Sequence, residues 1–150
     1  MSATPSRPLR VACQMDPIYR IDIAGDSTFA LLLEAQARGH DVFYYTPQNL
    51  SLDGDILRAR GETLKVWDKP GAHFAVSEPR VVDLATFDVV LLRQDPPFDM
   101  AYITTTYLLQ RIHPRTLVVN DPKEVRNAPE KLWVLDFQDL MPPTLVTRQL

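Results

Sequence analysis

Arg93 is the residue whose type and position most strongly indicate chemistry. It follows Leu91 and Leu92, the end of an apolar run that predicts a buried strand. A guanidinium at the mouth of a sheet can bind a carboxylate or a phosphate through two parallel hydrogen bonds. A structural alternative is that Arg93 pairs with Asp95 or Asp99 and only holds its own loop. The sequence therefore predicts either an anion-binding arginine or a loop anchor here.

Four further polar residues follow predicted strands or begin predicted helices, and we expect them to line the same site: Asp16, Ser27, Asp95 and Asn120. Some of them have a simpler interpretation. Asp16 precedes Pro17 and is also typical of a turn. Ser27 and Asn120 are also typical of residues that cap helices, and Asp26 competes with Ser27 for that position. The residue types thus predict a polar edge of the sheet. They do not decide whether each residue binds a ligand, caps a helix or forms a turn.

The elements that position these residues alternate between strand and helix. The predicted order is strand, helix, strand, strand, helix, strand, over residues 9–14, 29–38, 40–45, 88–92, 100–112 and 116–119. Right-handed crossovers place the carboxyl ends of parallel strands at one edge of a sheet, where ligands bind. This pattern predicts a doubly wound α/β fold with a parallel sheet and a site at that edge.

The remaining segments predict additions to this frame. Residues 47–84 predict an antiparallel insertion, with an Asp53-Gly54 hairpin turn followed by strands over 57–67 and 74–82. Residues 129–137 predict a helix. Residues 144–147 predict a strand with no visible partner.

Composition excludes several classes of function. The 150 residues carry a net charge of −3 without a basic stripe, which disfavours a nucleic-acid partner. No apolar run reaches the ~18 residues of a membrane span. The five glycines lack the spacing of either phosphate-binding loop, and three scattered histidines with one cysteine predict no metal site. The single Cys13 fits a reducing cytoplasm.

Several stretches together resemble the amino-terminal part of the prokaryotic glutathione synthetases, a family of ATP-grasp ligases. The matching stretches, in order and spacing, are Gln14–Ile18, Gly25–Gln36, Leu92–Asp99, Leu117–Asp121 and Glu130–Leu132. Residues 1–8 contain two prolines and no apolar core, and they predict a disordered tail. The resemblance implies a Rossmann-like pre-ATP-grasp substrate domain over 9–122, and a linker with the start of the ATP-grasp region over 123–150.

The resemblance also implies a reaction. These enzymes use ATP and Mg²⁺ to join γ-glutamylcysteine to glycine through an acyl phosphate, and they form homo-oligomers. Lys131 matches a lysine that reaches an ATP phosphate, although by its type alone it is also typical of a solvated helix residue. Arg93, Asp16, Ser27, Asp95 and Asn120 are then expected to bind substrate. We expect residues 1–150 alone to be inactive, and the alternative is a free-standing α/β binding or scaffold module.

Overall fold

The computed structural model describes residues 7–128 and 132–149. Eight strands form one sheet in the described residues. They are β1 (Arg10–Met15), β2 (Asp41–Tyr45), β3 (Leu50–Asp53), β4 (Ile56–Val66), β5 (Phe74–Val76), β6 (Arg80–Asp83), β7 (Val89–Arg93) and β8 (Leu117–Val119). The α-helices are α1 (Ser27–Ala37), α2 (Met100–Gln110) and α3 (Pro122–Asn127). None of the helices in these ranges is long and apolar enough to cross a bilayer.

Four parallel strands form the centre of the sheet, in the order β2-β1-β7-β8. The chain moves outward from β1 to β2 and later returns to the other side of β1 as β7. The strand order therefore reverses between β1 and β7, and the crevice at their carboxyl ends is where such sheets bind ligands. The predicted Rossmann-like α/β fold is confirmed.

The insertion extends this sheet. β4 pairs antiparallel with β2, with Phe43 opposite Thr63, and it also pairs with β3, β5 and β6. The hairpin expected near residue 54 is present, and its two connecting residues are Gly54 and Asp55. The single strand expected over 74–82 is wrong. It divides into β5 and β6 around Pro79, which has no backbone N–H to donate.

Side chains alternate between the two faces of β1 and build a core on each. Cys13 and Met15 pack with Phe29 and Leu32 of α1, while Ala12 packs with Leu109 of α2. Burying one large apolar side chain contributes about 1.5–3 kcal/mol, so these contacts fix both helices against the sheet. The helices thus cover both faces, as expected.

The structure of the two terminal segments differs from the sequence prediction more than that of the central sheet does. Arg7 pairs with Asp88 at 2.5 Å, while residues 1–6 of the predicted tail lie outside the described residues. Trp133–Leu140 is 3₁₀-helical on either side of Phe137, whose backbone is not helical, where the sequence predicted one helix over 129–137. The strand predicted over 144–147 is wrong: this segment finds no sheet partner in the described ranges, and Leu145 is 85% exposed.

Candidate functional site

The site begins at the crevice between β1 and β7. Asp16 follows β1, and its Oδ2 accepts a hydrogen bond from the backbone N–H of Asp95 at 2.7 Å. This bond ties together the two loops that leave the neighbouring strands. Asp16 therefore holds the loop after β7 in place. The sequence predicted substrate binding or turn formation for Asp16, and neither prediction included this contact.

Arg93 ends β7 and points to the α1 side of the sheet, as does Leu91 two residues before it. Its Nε donates to Thr28 Oγ1 at 3.0 Å, and its Nη2 donates to Ser27 Oγ at 2.8 Å. Among the described residues it forms no ion pair, so the expected alternative of pairing with Asp95 or Asp99 is not observed. Two hydroxyls fix the guanidinium without neutralising it.

Helix α1 explains why these hydroxyls are available. Asp26 is its N-cap, and Asp26 Oδ1 accepts from the backbone N–H of Phe29 at 2.6 Å. Ser27 is therefore free of capping and bonds Arg93 instead. The amino terminus of an 11-residue helix carries partial positive charge, which adds to that of the guanidinium. Arg93 and the start of α1 together favour an anionic ligand.

A groove of about 500 Å³ opens on the α2 side of the same edge. Asp16, Gln94 and Asp95 line one part of it, and residues of α2 line another. Behind its wall, Gln14 is completely buried and donates from Nε2 to Gln94 Oε1 at 2.6 Å. The structure therefore brings together Asp16 and Asp95 in the groove, and Arg93 and Ser27 on the opposite face of the sheet edge.

Asn120 lies outside that groove. It lines a second hollow of about 440 Å³ with Phe98, Val125 and other residues near α3. Tyr102 borders both spaces, and burial raises the pKa of its phenol. Asp121, next in sequence, caps α3 by accepting from the backbone N–H of Lys123 at 2.8 Å. Asn120 is thus adjacent to the crevice without joining the other candidates.

Two features of the site were missed from the sequence. Thr28 anchors Arg93 together with Ser27, and Gln14 supports Gln94 from beneath the groove. Gln14 carried a signal, because a polar amide inside an apolar strand requires a buried partner. Lys131, the predicted ATP-binding lysine, lies outside the described residues. Those residues contain no group of three or more histidine, cysteine or acidic side chains arranged to hold a metal ion.

Comparison with known sequences identifies the family. Residues 9–126 match the family model described as prokaryotic glutathione synthetase, N-terminal domain. The chain is 66% identical over 140 residues to a glutathione synthetase of Rhodopseudomonas palustris, covering 93% of this chain and 45% of the relative. It is 66% identical over 142 residues to that of Bradyrhizobium diazoefficiens, covering 95% and 45%.

A relative of lower identity is matched over the same part of its length. The glutathione synthetase of Escherichia coli O6:H1 is 43% identical over 141 residues, covering 93% of this chain and 45% of the relative. The chain thus spans about half the length of the curated relatives it matches. With the family model covering most of its residues and the α/β frame in place, the chain belongs to the prokaryotic glutathione synthetase family and corresponds to its N-terminal domain.

Proposed function

We propose that this chain forms the substrate-side domain of an ATP-dependent ligase that joins γ-glutamylcysteine to glycine. The names of its relatives and the match to their N-terminal domain support this assignment. The crevice between β1 and β7 would form one wall of the dipeptide site. The complete enzyme would use ATP and Mg²⁺ for the ligation, as ATP-grasp ligases do.

The observation that carries the proposal is the state of Arg93. Two of its five N–H groups are bonded to Ser27 and Thr28, and no described carboxylate neutralises its charge. A fixed, half-buried guanidinium beside the start of α1 is suited to a substrate carboxylate. γ-Glutamylcysteine carries two carboxylates, so Arg93 can orient the dipeptide by binding one of them.

Nucleotide and metal would be held elsewhere than in the described residues. Those residues provide neither a glycine-rich phosphate loop nor a cluster of metal ligands. Lys131 remains the predicted phosphate contact. A cytoplasmic location and homo-oligomeric assembly also remain predictions from the sequence and the resemblance.

The test is steady-state kinetics of glutathione formation by the complete native protein to which this domain belongs, because residues 1–150 alone are expected to be inactive. Loss of a hydrogen-bonded charge contact costs about 1.5–3 kcal/mol, so Arg93→Ala should raise the KM for γ-glutamylcysteine about tenfold or more. The KM for ATP should change little. Arg38→Ala is the matched control, because it removes a guanidinium from the end of α1 that faces solvent.

Two outcomes would contradict the proposal. Equal KM values for γ-glutamylcysteine in the wild type and Arg93→Ala would remove Arg93 from the substrate site. Absence of ATP-dependent glutathione formation by the wild-type native protein would instead favour a binding or scaffold module.

A further inference from the structure

A buried amide pair stands behind the wall of the groove on the α2 side. Gln14 is fully buried in the middle of the sheet, and its Nε2 donates to Oε1 of Gln94, a groove residue, at 2.6 Å. Gln14 Oε1 has no hydrogen-bond partner among the described residues. A buried amide is costly unless it is hydrogen-bonded, so Gln94 is the partner that offsets the burial of Gln14.

The direction of this hydrogen bond determines what Gln94 offers to the groove. In the observed orientation Gln14 leaves one carbonyl oxygen and one N–H without a partner. The reverse orientation would leave both N–H groups of Gln14 unbonded in the core, and buried unpaired N–H groups are rarer than unpaired carbonyls. The bond thus occupies the oxygen of Gln94 and leaves its Nε2, which bonds no described residue, available to a ligand.

We propose that Gln94 binds an acceptor oxygen of γ-glutamylcysteine through its side-chain N–H₂, and that Gln14 is the positioning residue that fixes this orientation. This inference rests on the proposed function. The acidic neighbours Asp16 and Asp95 offer acceptors, so Gln94 supplies a donor on the same part of the wall. At the position next to Gln94, the groove therefore prefers a ligand group that accepts hydrogen bonds over one that donates them.

The decisive variant is Gln94→Glu in the native protein. It keeps an oxygen to accept from Gln14, replaces the free N–H₂ with a second acceptor and adds one negative charge. We expect the KM for γ-glutamylcysteine to rise tenfold or more, with kcat within about threefold and an unchanged melting temperature. Gln110→Glu is the matched control, because it makes the same charge change at an exposed glutamine outside the groove and keeps the oxygen that accepts from Arg126. Its KM should stay within about threefold.

Gln14→Met tests the positioning step. Methionine has a similar volume and no N–H to donate, so Gln94 is released and the KM should rise severalfold with little change in kcat. In the double variant, Gln14→Met should raise the KM by less than it does alone. Both substitutions remove the same interaction, the hydrogen bond that the side-chain N–H₂ of Gln94 donates to the ligand. If Gln14→Met fails to fold, Gln94→Glu still decides the binding step and a Gln14→Leu variant is measured in its place.

The outcomes separate this inference from the proposed function. An unchanged KM in Gln94→Glu, or an equal rise in Gln110→Glu, overturns the role of Gln94 while leaving Arg93→Ala to judge the proposed function. Full additivity of Gln14→Met and Gln94→Glu overturns the positioning role. A wild-type protein that makes no glutathione overturns both proposals.

Discussion

The carboxylate of Asp16 accepts a hydrogen bond from the backbone N–H of Asp95, with Oδ2 and N 2.7 Å apart. The bond joins the loop after β1 to the loop after β7, where the strand order reverses. A second link, from Gln14 to Gln94, lies directly beneath it. The wall of the groove therefore depends on two hydrogen bonds between segments that are about eighty residues apart in sequence.

Asp16→Ala should loosen this wall. Removing a charged acceptor from a backbone N–H costs about 1–2 kcal/mol at a half-exposed position, so the free energy of unfolding should fall by that amount. The freed amide of Asp95 should exchange with solvent faster. Urea unfolding measures the first effect, and hydrogen exchange followed by NMR measures the second.

Asp95→Ala is the control for this prediction. It removes the exposed side chain and retains the backbone N–H that bonds Asp16, so the free energy of unfolding should stay within about 0.5 kcal/mol of the wild type. Equal losses in the two variants would show that the hydrogen bond between the loops contributes nothing measurable.

Asp26→Ala should affect the stability of the protein, and Ser27→Ala should affect its KM. Asp26 caps α1, so its loss should lower the free energy of unfolding by about 1 kcal/mol. Ser27 holds Arg93, so its loss should leave stability nearly unchanged and raise the KM for γ-glutamylcysteine. Denaturant unfolding and kinetics of the native protein check both. A Ser27→Ala variant that loses stability and keeps its KM would reverse these assignments.

Local patterns predicted the frame of this fold. The apolar runs over 9–14 and 88–92 predicted the central strands, because buried parallel strands are continuously apolar. Their order along the chain gave the edge where ligands bind. The prediction over 144–147 was wrong because a strand requires a partner as well as suitable residues.

The contacts within the site depend on information that local patterns lack. Asp26 and Ser27 are both good capping residues, and only the folded geometry assigns the cap to one and Arg93 to the other. Likewise, nothing near Gln14 in sequence identifies Gln94 as its partner. Residue types thus located the edge of the sheet, while the pairing of side chains required the sheet register.

Gly61→Ala should disrupt the junction between β4 and β2. A Cβ at this position would clash with the carbonyl oxygen of Tyr44 and would lie 2.8 Å from Cβ of Tyr45. Backbone and Cβ atoms in a sheet cannot yield locally, so we expect a loss of about 3 kcal/mol in the free energy of unfolding. Thermal and urea unfolding measure it.

Gly25→Ala provides the comparison. No atom lies within 4 Å of the added Cβ, and Gly25 does not adopt a positive φ. Its free energy of unfolding should be unchanged or rise slightly, because alanine restricts the unfolded chain. If both variants lost the same stability, the close approach of Gly61 to β2 would not be the cause.

Cys13 should be unreactive in the folded protein. It is fully buried on the α1 side of β1, and burial raises the pKa of its thiol to about 12. The thiolate is the reactive species, so alkylation at pH 8 should proceed only as fast as the protein opens. Mass spectrometry of the Cys13 peptide gives that rate. Labelling of the native protein as fast as a free thiol would contradict the burial.

The same pKa predicts how stability depends on alkaline pH. An unfolded cysteine ionises near pH 8.5–9, while folded Cys13 keeps its proton until about pH 12. Between these values the folded state binds more protons than the unfolded state, so the free energy of unfolding falls as pH rises. Cys13→Ala lacks this titration. The wild type should therefore lose stability faster than Cys13→Ala between pH 8 and pH 10.5 in urea unfolding, and parallel curves would show that the thiol titrates alike in both states.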